Sequence, residues 1–280
     1  MAGPVNAGQA QDWNGAGGAA WAALQPILDQ TLAPFEDLLT DSVAALAQSP
    51  GQILDVGCGC GTTTLSIARR LGSDHRCHGV DISEVMIEAA RSRAIAKGLA
   101  VDFTVADAQI YDFETAAFDI VVSRFGVMFF DDPVGAFVNL RRATRPGGRL
   151  VFVCWRSPAD NPFMSSAERA AARVLPDLVP RMPGTPGPFA FADPQYLRSV
   201  LADSGWTAIN IRPLDLPARL PEADLPAYLR GIGPAGRALR DSDDSTRDRL
   251  KAALTEEYAQ FVVAGEVRYT AACWFVEATA

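Results

Sequence analysis

The sequence predicts an α/β fold, built on a doubly wound, mostly parallel sheet of seven strands. Three observations lead to this fold class. Short apolar segments alternate with amphipathic segments between residues 51 and 155. The first apolar segment runs directly into a glycine-rich turn at 57–61, and the second ends in an acid, Asp81. A parallel sheet that places such a turn and such an acid at one edge forms a pocket for a nucleoside.

Five strands are predicted to alternate with four helices in this part of the chain. The segments predicted as strands lie at 52–57, 76–81, 101–106, 118–123 and 149–155. The run at 118–123 is almost wholly apolar, which is typical of a parallel strand buried on both faces. Between the runs, apolar residues recur at helical spacing. Ser83 is a suitable N-cap for one helix, and Lys97-Gly98 is a suitable end for it.

The flanking regions predict further elements. Apolar positions from Leu24 to Leu46 indicate a helical leader, and the proline-rich segment after the fifth strand indicates an irregular cap. The tail from Val267 to Ala278 is predicted to pair back onto a strand at 207–213. The expected regions are 1–50 for the leader or lid, 51–155 for the ligand-binding core, 156–194 for the inserted cap or substrate loop, and 195–280 for the strands and helices that complete the sheet.

Charge and cysteine usage narrow the class of protein. The formal net charge is −8 and the chain has no dense cluster of Lys and Arg, which argues against nucleic acid as a partner. No basic segment precedes an apolar stretch at the N-terminus, and no apolar run reaches the roughly 18 residues of a membrane span. The cysteines lie in or beside predicted strands, as buried thiols do in a reducing compartment. We therefore expect a cytoplasmic protein without a membrane span.

The spacing within the turn favours one kind of nucleoside. A dinucleotide site has the pattern G-x-G-x-x-G, whereas the glycines here are at 57, 59 and 61, followed by Thr62. Asp55 lies two residues before the first glycine, where a carboxylate suits an ammonium-bearing ligand better than a pyrophosphate. A tight turn without any ligand remains an alternative. No metal site is expected, because His75 and His78 have no second ligand pair nearby.

From Asp55 to Trp155 the sequence resembles the class I S-adenosylmethionine-dependent methyltransferases, in particular the UbiE quinone C-methyltransferases and related small-molecule enzymes. The matching segments are the glycine motif, Asp81, Ala106-Asp107-Ala108, Phe118-Asp119 and Arg145-Pro146-Gly147-Gly148. The resemblance implies a Rossmann-like fold, S-adenosyl-L-methionine as the cofactor and a small molecule as the methyl acceptor.

The resemblance also implies which residues bind the cofactor. Asp81 would accept hydrogen bonds from the ribose hydroxyls and Asp107 from the adenine amine, while Asp55 would help to hold the ammonium group. The other implied cofactor contacts are Gly57, Cys58, Gly59, Gly61, Ile82, Met86, Ala108 and Ser123.

Methyl transfer is an in-line displacement, so the protein mainly has to align the nucleophile with the methyl group. Both histidines are predicted at the start of strand two, the edge opposite the ligand, so a histidine base is not expected. Arg124 and Asp131 are the candidate catalytic residues, and another carboxylate, a tyrosine or no base at all remain alternatives. The candidate acceptor contacts are Phe125, Met128, Phe129, Trp155, Asn161 and Phe163.

Two other functions compete with methyl transfer. A nicotinamide-dependent oxidoreductase is disfavoured by Thr62 and by the absence of a Tyr-x-x-x-Lys pair. A nucleoside-binding protein that has the fold without the chemistry is the non-enzymatic alternative.

Overall fold

The computed structural model describes residues 6–47, 50–175 and 185–280. Its helices are α1 (Ala7–Asn14), α2 (Ala16–Ala23), α3 (Gln25–Leu46), α4 (Thr62–Leu71), α5 (Glu84–Lys97), α6 (Pro133–Ala143), α7 (Pro162–Val174), α8 (Pro194–Asp203), α9 (Leu225–Gly231), α10 (Gly233–Asp241) and α11 (Asp244–Tyr258). Its strands are β1 (Gly51–Val56), β2 (His75–Asp81), β3 (Val101–Val105), β4 (Phe118–Arg124), β5 (Thr144–Trp155), β6 (Thr207–Pro221), β7 (Val262–Val263) and β8 (Glu266–Thr279).

The strands form one sheet in the order β3-β2-β1-β4-β5-β8-β6, with the short β7 paired to β8 outside this path. Strands β1 to β5 are parallel to one another, and β8 runs antiparallel to both β5 and β6. The predicted fold class is therefore confirmed. The strand order reverses at β1, which pairs with β2 on one side and β4 on the other. In such a sheet, ligands bind beyond the carboxyl ends of the strands at this point.

Strands β6 and β8 are longer than the core of the sheet requires. Cys273 of β8 pairs with Trp155, the last residue of β5, so residues 266–272 continue past the carboxyl edge together with the second half of β6. The predicted strand at 207–213 thus ends eight residues later, at Pro221. This extension carries the helices that stand above the edge, and the predicted pairing of the tail with β6 is confirmed.

The region above the edge has its own hydrophobic core. Phe163 of α7, Leu229 of α9, Leu254 and Tyr258 of α11, and Val267 of β8 pack together there, separately from the core around the sheet. We refer to this group as the cap core. The sheet and the cap are therefore each stabilised mainly by their own apolar contacts.

The prediction of an irregular segment over 156–194 is wrong for Pro162–Val174, which forms α7. Pro162 occupies the first turn of this helix, where proline needs no backbone hydrogen-bond partner. Phe163, Ala167, Ala170 and Ala171 form its buried face. The proline content of the whole segment concealed this helical spacing. Residues 176–184, also covered by the prediction, lie outside the described residues.

Within the described parts of the chain, no helix has the length and apolarity that crossing a membrane would require.

Candidate active site

The glycine-rich turn joins β1 to α4. Its three positions require glycine for different structural reasons. Gly57, Gly59 and Gly61 all have left-handed backbones, with φ of 66°, 55° and 78°. A Cβ on Gly57 would lie 2.5 Å from the Gly126 Cα, and one on Gly61 would lie 2.8 Å from the Phe103 ring. These two positions are small because the chain packs against itself. A Cβ on Gly59 would meet only the Met86 sulfur at 3.8 Å, so Gly59 is the glycine that leaves room for a ligand.

Cys58 lies within the same turn, but its side chain does not face the ligand edge. Its thiol packs beneath the turn, where a Cβ on Gly79 would come within 2.8 Å of the sulfur. Burial raises the pKa of this thiol well above its ordinary value. Only the Cys58 backbone is therefore placed to contribute to a cofactor site.

Asp81, at the end of β2, is fixed by the backbone around it. Its Oδ2 accepts from the Gly59 amide at 2.8 Å, and its Oδ1 accepts from the Ser83 amide at 2.9 Å. Burial raises the pKa of this carboxyl, and the backbone hydrogen bonds oppose that rise. Each carboxylate oxygen has a further lone pair, so Asp81 can also accept hydrogen bonds from two hydroxyl groups of a ligand.

Two other acids at the edge each have one oxygen without a partner. Asp55 Oδ2 accepts from the Thr64 hydroxyl at 2.6 Å, whereas its buried Oδ1 has no partner among the described residues. Asp107 Oδ1 accepts from the Gln109 amide at 3.0 Å, and its Oδ2 is buried and likewise unpartnered within the described ranges. Buried acceptors normally have donors. Both oxygens are therefore suited to a ligand that carries N–H groups.

Arg124, at the end of β4, has a buried donor without a partner in the described part of the protein. Its Nη1 is buried, and no residue of the described chain accepts from it. Burial lowers the pKa of this guanidinium, while the charges of Asp29, Glu36 and Asp55 raise it. Asp55 of β1 pairs with Val122 of β4, and Val122 lies two residues before Arg124. The unpartnered acceptor of Asp55 and the unpartnered donor of Arg124 therefore belong to the same part of the sheet edge.

Ser123 and Phe125, on either side of Arg124, are both held by the protein. The Ser123 hydroxyl donates to the Val56 carbonyl at 2.7 Å and accepts from the Gly126 amide at 3.1 Å, which ties β4 to β1. Phe125 has a left-handed backbone with φ of 66°, a conformation that costs a non-glycine residue free energy and that tends to occur at functional sites.

The Phe125 ring is stacked on the Trp155 ring, with centroids 4.4 Å apart and an angle of 7° between the planes. Phe35 of α3 meets both rings edge-on, at 5.1 and 6.1 Å. Met128 lies beside them, because its sulfur contacts the Trp155 amide at 3.5 Å. The carboxyl ends of β4 and β5 therefore carry a cluster of aromatic rings next to Arg124.

The leader covers the neighbouring part of the edge. The Asn14 side chain donates to the Ile82 carbonyl at 3.0 Å and accepts from the Glu84 amide at 2.9 Å. Trp13 stands edge-on to Phe129, with ring centroids 5.2 Å apart. Helices α1 and α2 thus lie over the segment that joins β2 to α5.

The cofactor candidates after β2 and β3 lie along the same edge. Met86 is buried beneath Gly59, and Ile82 presents its carbonyl to Asn14. Ala108 is buried, and its carbonyl accepts from Asn139 at 3.0 Å.

Two of the candidate acceptor contacts are engaged in structural contacts elsewhere. The Asn161 side-chain amide donates to the Ala272 carbonyl and accepts from the Ala272 amide of β8, both at 2.9 Å. Phe163 is stacked on Tyr269 at 3.8 Å inside the cap core. The expectation that these two side chains contact the acceptor is corrected accordingly. Asp131, the candidate catalytic carboxylate, is exposed and borders a cavity of about 60 Å³ together with Met128, so its catalytic role stays a prediction.

The histidines lie where the sequence placed them. His75 pairs with Gly51, so both begin their strands at the amino edge. His78 Nε2 is hydrogen-bonded to the Thr104 hydroxyl at 2.9 Å, and burial lowers its pKa. His78 lies three positions before Asp81, which corresponds to about 10 Å along a strand.

The sequence does not predict that the acids of α3 lie near the carboxyl edge. Asp29 and Glu36 contribute to the charge around Arg124, although they lie far from the motifs in the chain. Helical spacing identifies Phe35 and Leu39 as core positions. It does not show that polar residues on the adjoining face approach the carboxyl edge.

Among known proteins, methyltransferases match this chain in sequence. The sequence profile described as a methyltransferase domain matches residues 53–148. The demethylmenaquinone methyltransferase of Thermus thermophilus is 33% identical over 171 residues, which are 58% of this chain and 77% of that protein. The aklanonic acid methyltransferase DauC of Streptomyces sp. (strain C5) is 37% identical over 102 residues, 36% of this chain and 46% of that protein. The chain thus matches less than half the length of DauC.

Solved structures share the fold. The YcgJ protein from Bacillus subtilis superposes with a TM-score of 0.58 at 20% identity, covering 88% of this chain and 98% of that one. The Haemonchus contortus phosphoethanolamine N-methyltransferase 2, in complex with S-adenosyl-L-methionine, superposes with a TM-score of 0.51 at 18% identity, covering 91% of this chain and 59% of that one. At these identities the likeness concerns the fold alone.

Proposed function

We propose that this chain, which belongs to the class I S-adenosylmethionine-dependent methyltransferases, methylates a flat aromatic small molecule held against Phe125 and Trp155. The observation that carries the acceptor class is the parallel stack of these two rings at the carboxyl ends of β4 and β5. Stacked rings favour a planar partner that extends the stack. Membership of the family sets aside the oxidoreductase and the non-catalytic alternatives.

The cofactor of the family is S-adenosylmethionine, and the orphaned polar atoms fit it. Asp55 Oδ1 would accept from the ammonium group, and Arg124 Nη1 would donate to the carboxylate at the same end of the cofactor. Asp107 Oδ2 would accept from the adenine amine, and the free lone pairs of Asp81 would accept from the ribose hydroxyls. When bound, the cofactor supplies an activated methyl group on a sulfonium. Arg124 thereby becomes a cofactor contact instead of a catalytic group.

The aromatic residues would do two things for the reaction. Phe125 and Trp155 would hold the acceptor in line with the methyl group, which removes most of the entropic cost of bringing two reactants together. Phe35 and the Trp13–Phe129 pair would exclude water from the edge. A water-poor site suits a transition state in which positive charge disperses.

We further propose that no imidazole acts as a base. His75 begins its strand at the opposite edge, and His78 is engaged with Thr104. A phenol or an activated carbon still has to lose a proton, and a carboxylate or a tyrosine would accept it in place of an imidazole. The names of the two relatives, which refer to demethylmenaquinone and aklanonic acid, support a small organic acceptor.

The test is a panel of acceptors. The purified protein is incubated with S-adenosylmethionine and, separately, with a naphthoquinol, a simple phenol, an aliphatic amine and an aliphatic thiol. Mass spectrometry then looks for the addition of one methyl group. We expect methylation of an aromatic hydroxy compound. Transfer to the aliphatic compounds alone would overturn the acceptor class while leaving the cofactor assignment intact.

A further inference from the structure

We propose that Arg93 of α5 is a positioning residue for the glycine-rich turn, an inference that rests on the proposed cofactor site. Its Nη1 donates to the Cys60 carbonyl at 2.6 Å and to the Thr62 hydroxyl at 2.8 Å. Its Nη2 donates to Asp29 Oδ2 of α3 at 2.7 Å. One guanidinium therefore joins three separate segments: the turn, the start of α4, and α3.

The contacts close into a ring. The Thr62 hydroxyl, which accepts from Arg93, donates in turn to Asp29 Oδ1 at 2.6 Å. Gln25 adds a further hydrogen bond to Asp29 from one turn earlier in α3. Both oxygens of Asp29 are thus occupied, and its orientation is set from several sides. Charge-assisted hydrogen bonds of this kind are stronger than neutral ones.

This ring holds the turn from the side of α3 and α5. Cys60 lies between Gly59 and Gly61, two residues with left-handed backbones, in a part of the chain that has few conformational constraints of its own. On the ligand side, Asp81 holds the Gly59 amide. From the other side, Arg93 holds the Cys60 carbonyl. Removing the Arg93 contact would let the turn move while the strands and helices keep their positions.

Arg93 also makes a small contribution to the charge around Arg124. The Asp29 carboxylate raises the pKa of Arg124, and the positive charge of Arg93 lowers it. Arg93 and Thr62 keep the Asp29 carboxylate directed toward themselves. A cavity of about 190 Å³ borders Asp29 and Arg93, so Asp29 has room to turn once Arg93 is removed. It would then compete with the cofactor carboxylate for Arg124.

The experiment measures binding of S-adenosylhomocysteine by calorimetry, which needs no acceptor. We expect Arg93→Met to weaken binding about ten-fold or more, and Arg93→Lys, which keeps the charge, to weaken it less. Arg91→Met is the matched control, because Arg91 lies on the same helix and donates to the Phe103 carbonyl at 2.7 Å without touching the turn. This control should change the dissociation constant by no more than about two-fold.

A double variant separates positioning from general support. If Asp29 competes for Arg124 once Arg93 is gone, Asp29→Asn combined with Arg93→Met should bind more tightly than Arg93→Met alone. A merely structural role predicts further loss. If Arg93→Met does not fold, the comparison of Arg93→Lys with Arg91→Lys decides the matter.

Two results would overturn the proposal: unchanged affinity in the folded Arg93 variants, or an equal loss in the Arg91 control. A failure of the wild-type protein to bind S-adenosylhomocysteine would instead contradict the cofactor site itself.

Discussion

Asp81 and Gly59 are joined by a hydrogen bond of 2.8 Å from the Gly59 amide to Asp81 Oδ2. Of the three glycines in the turn, Gly59 is the one whose Cβ direction is open. The acid that ends β2 therefore shapes the part of the turn that a ligand can approach. The remaining lone pairs of the same carboxylate can accept hydrogen bonds from that ligand. Asp81 can therefore both fix the backbone of the turn and bind the ligand.

Replacing Asp81 by Asn should weaken S-adenosylhomocysteine binding by about ten- to a hundred-fold, because charge-assisted hydrogen bonds of about 1.5–3 kcal/mol are lost. Calorimetry measures the change. Asp102→Asn, which alters an exposed acid on β3, is the control and should leave affinity unaltered. Equal affinity in the Asp81 and Asp102 variants would restrict Asp81 to holding the backbone.

Cofactor affinity should depend on pH through Asp55. Burial raises the pKa of this carboxyl to about 7, so it is largely neutral at lower pH. A neutral carboxyl attracts an ammonium group less than a carboxylate does. Affinity for S-adenosylhomocysteine should therefore rise as pH increases toward 7 and level off above it. Titrations at several pH values should show this slope in the wild type and lose it in Asp55→Asn. A slope that survives in the variant would assign the titration to another group.

The same pKa affects stability with a defined sign. Because the folded value lies above the ordinary 3.8, the folded chain binds more protons than the unfolded chain between these two values. The contribution of Asp55 is therefore fully present below the unfolded pKa and is lost as pH rises through about 7. Denaturant unfolding of the wild type and Asp55→Asn over this range measures the difference, which should grow in favour of the variant as pH increases.

Replacing Trp155 by Leu should raise the KM for the acceptor and leave S-adenosylhomocysteine affinity within about two-fold, since we propose that this ring contacts the acceptor and not the cofactor. Some stability will be lost, on the order of 2–4 kcal/mol, because the ring is buried. Trp274→Leu is a suitable control, as Trp274 lies in the same sheet and donates to the Ala192 carbonyl instead. An unchanged acceptor KM in folded Trp155→Leu would contradict the aromatic acceptor site.

The double variant His75→Gln and His78→Gln should keep the rate of methyl transfer within a few-fold of wild type. Loss of a general base typically lowers a rate by about 100- to 10,000-fold. The pH–rate profile should also retain its limbs, because no imidazole titrates in the chemical step. A fall of that size, in a folded variant that still binds the cofactor, would show that one histidine reaches the site.

The sheet and the acids of the proposed cofactor site could be predicted because the sequence marks them locally. Strands β1 and β4 are mostly apolar, and Asp55, Asp81 and Asp107 each stand at a fixed offset from a strand end. The role of Asn161 could not be predicted in the same way. Its partner, Ala272, is 111 residues away and becomes a neighbour only when β8 returns to the sheet. Arg93 and Asp29 were missed for the same reason, since nothing in either helix shows that they meet across the turn.

The separation of the cap core from the core of the sheet has a consequence for the substitutions that the chain tolerates. The residues that fit the cofactor belong to the sheet and its glycine-rich turn, whereas Phe163, Leu254 and their neighbours pack around the extended hairpin. The Phe125–Trp155 stack belongs to the core of the sheet as well, so a substitution in the cap core leaves both sets of residues in place. We therefore expect the cap core to tolerate substitutions independently of the carboxyl edge.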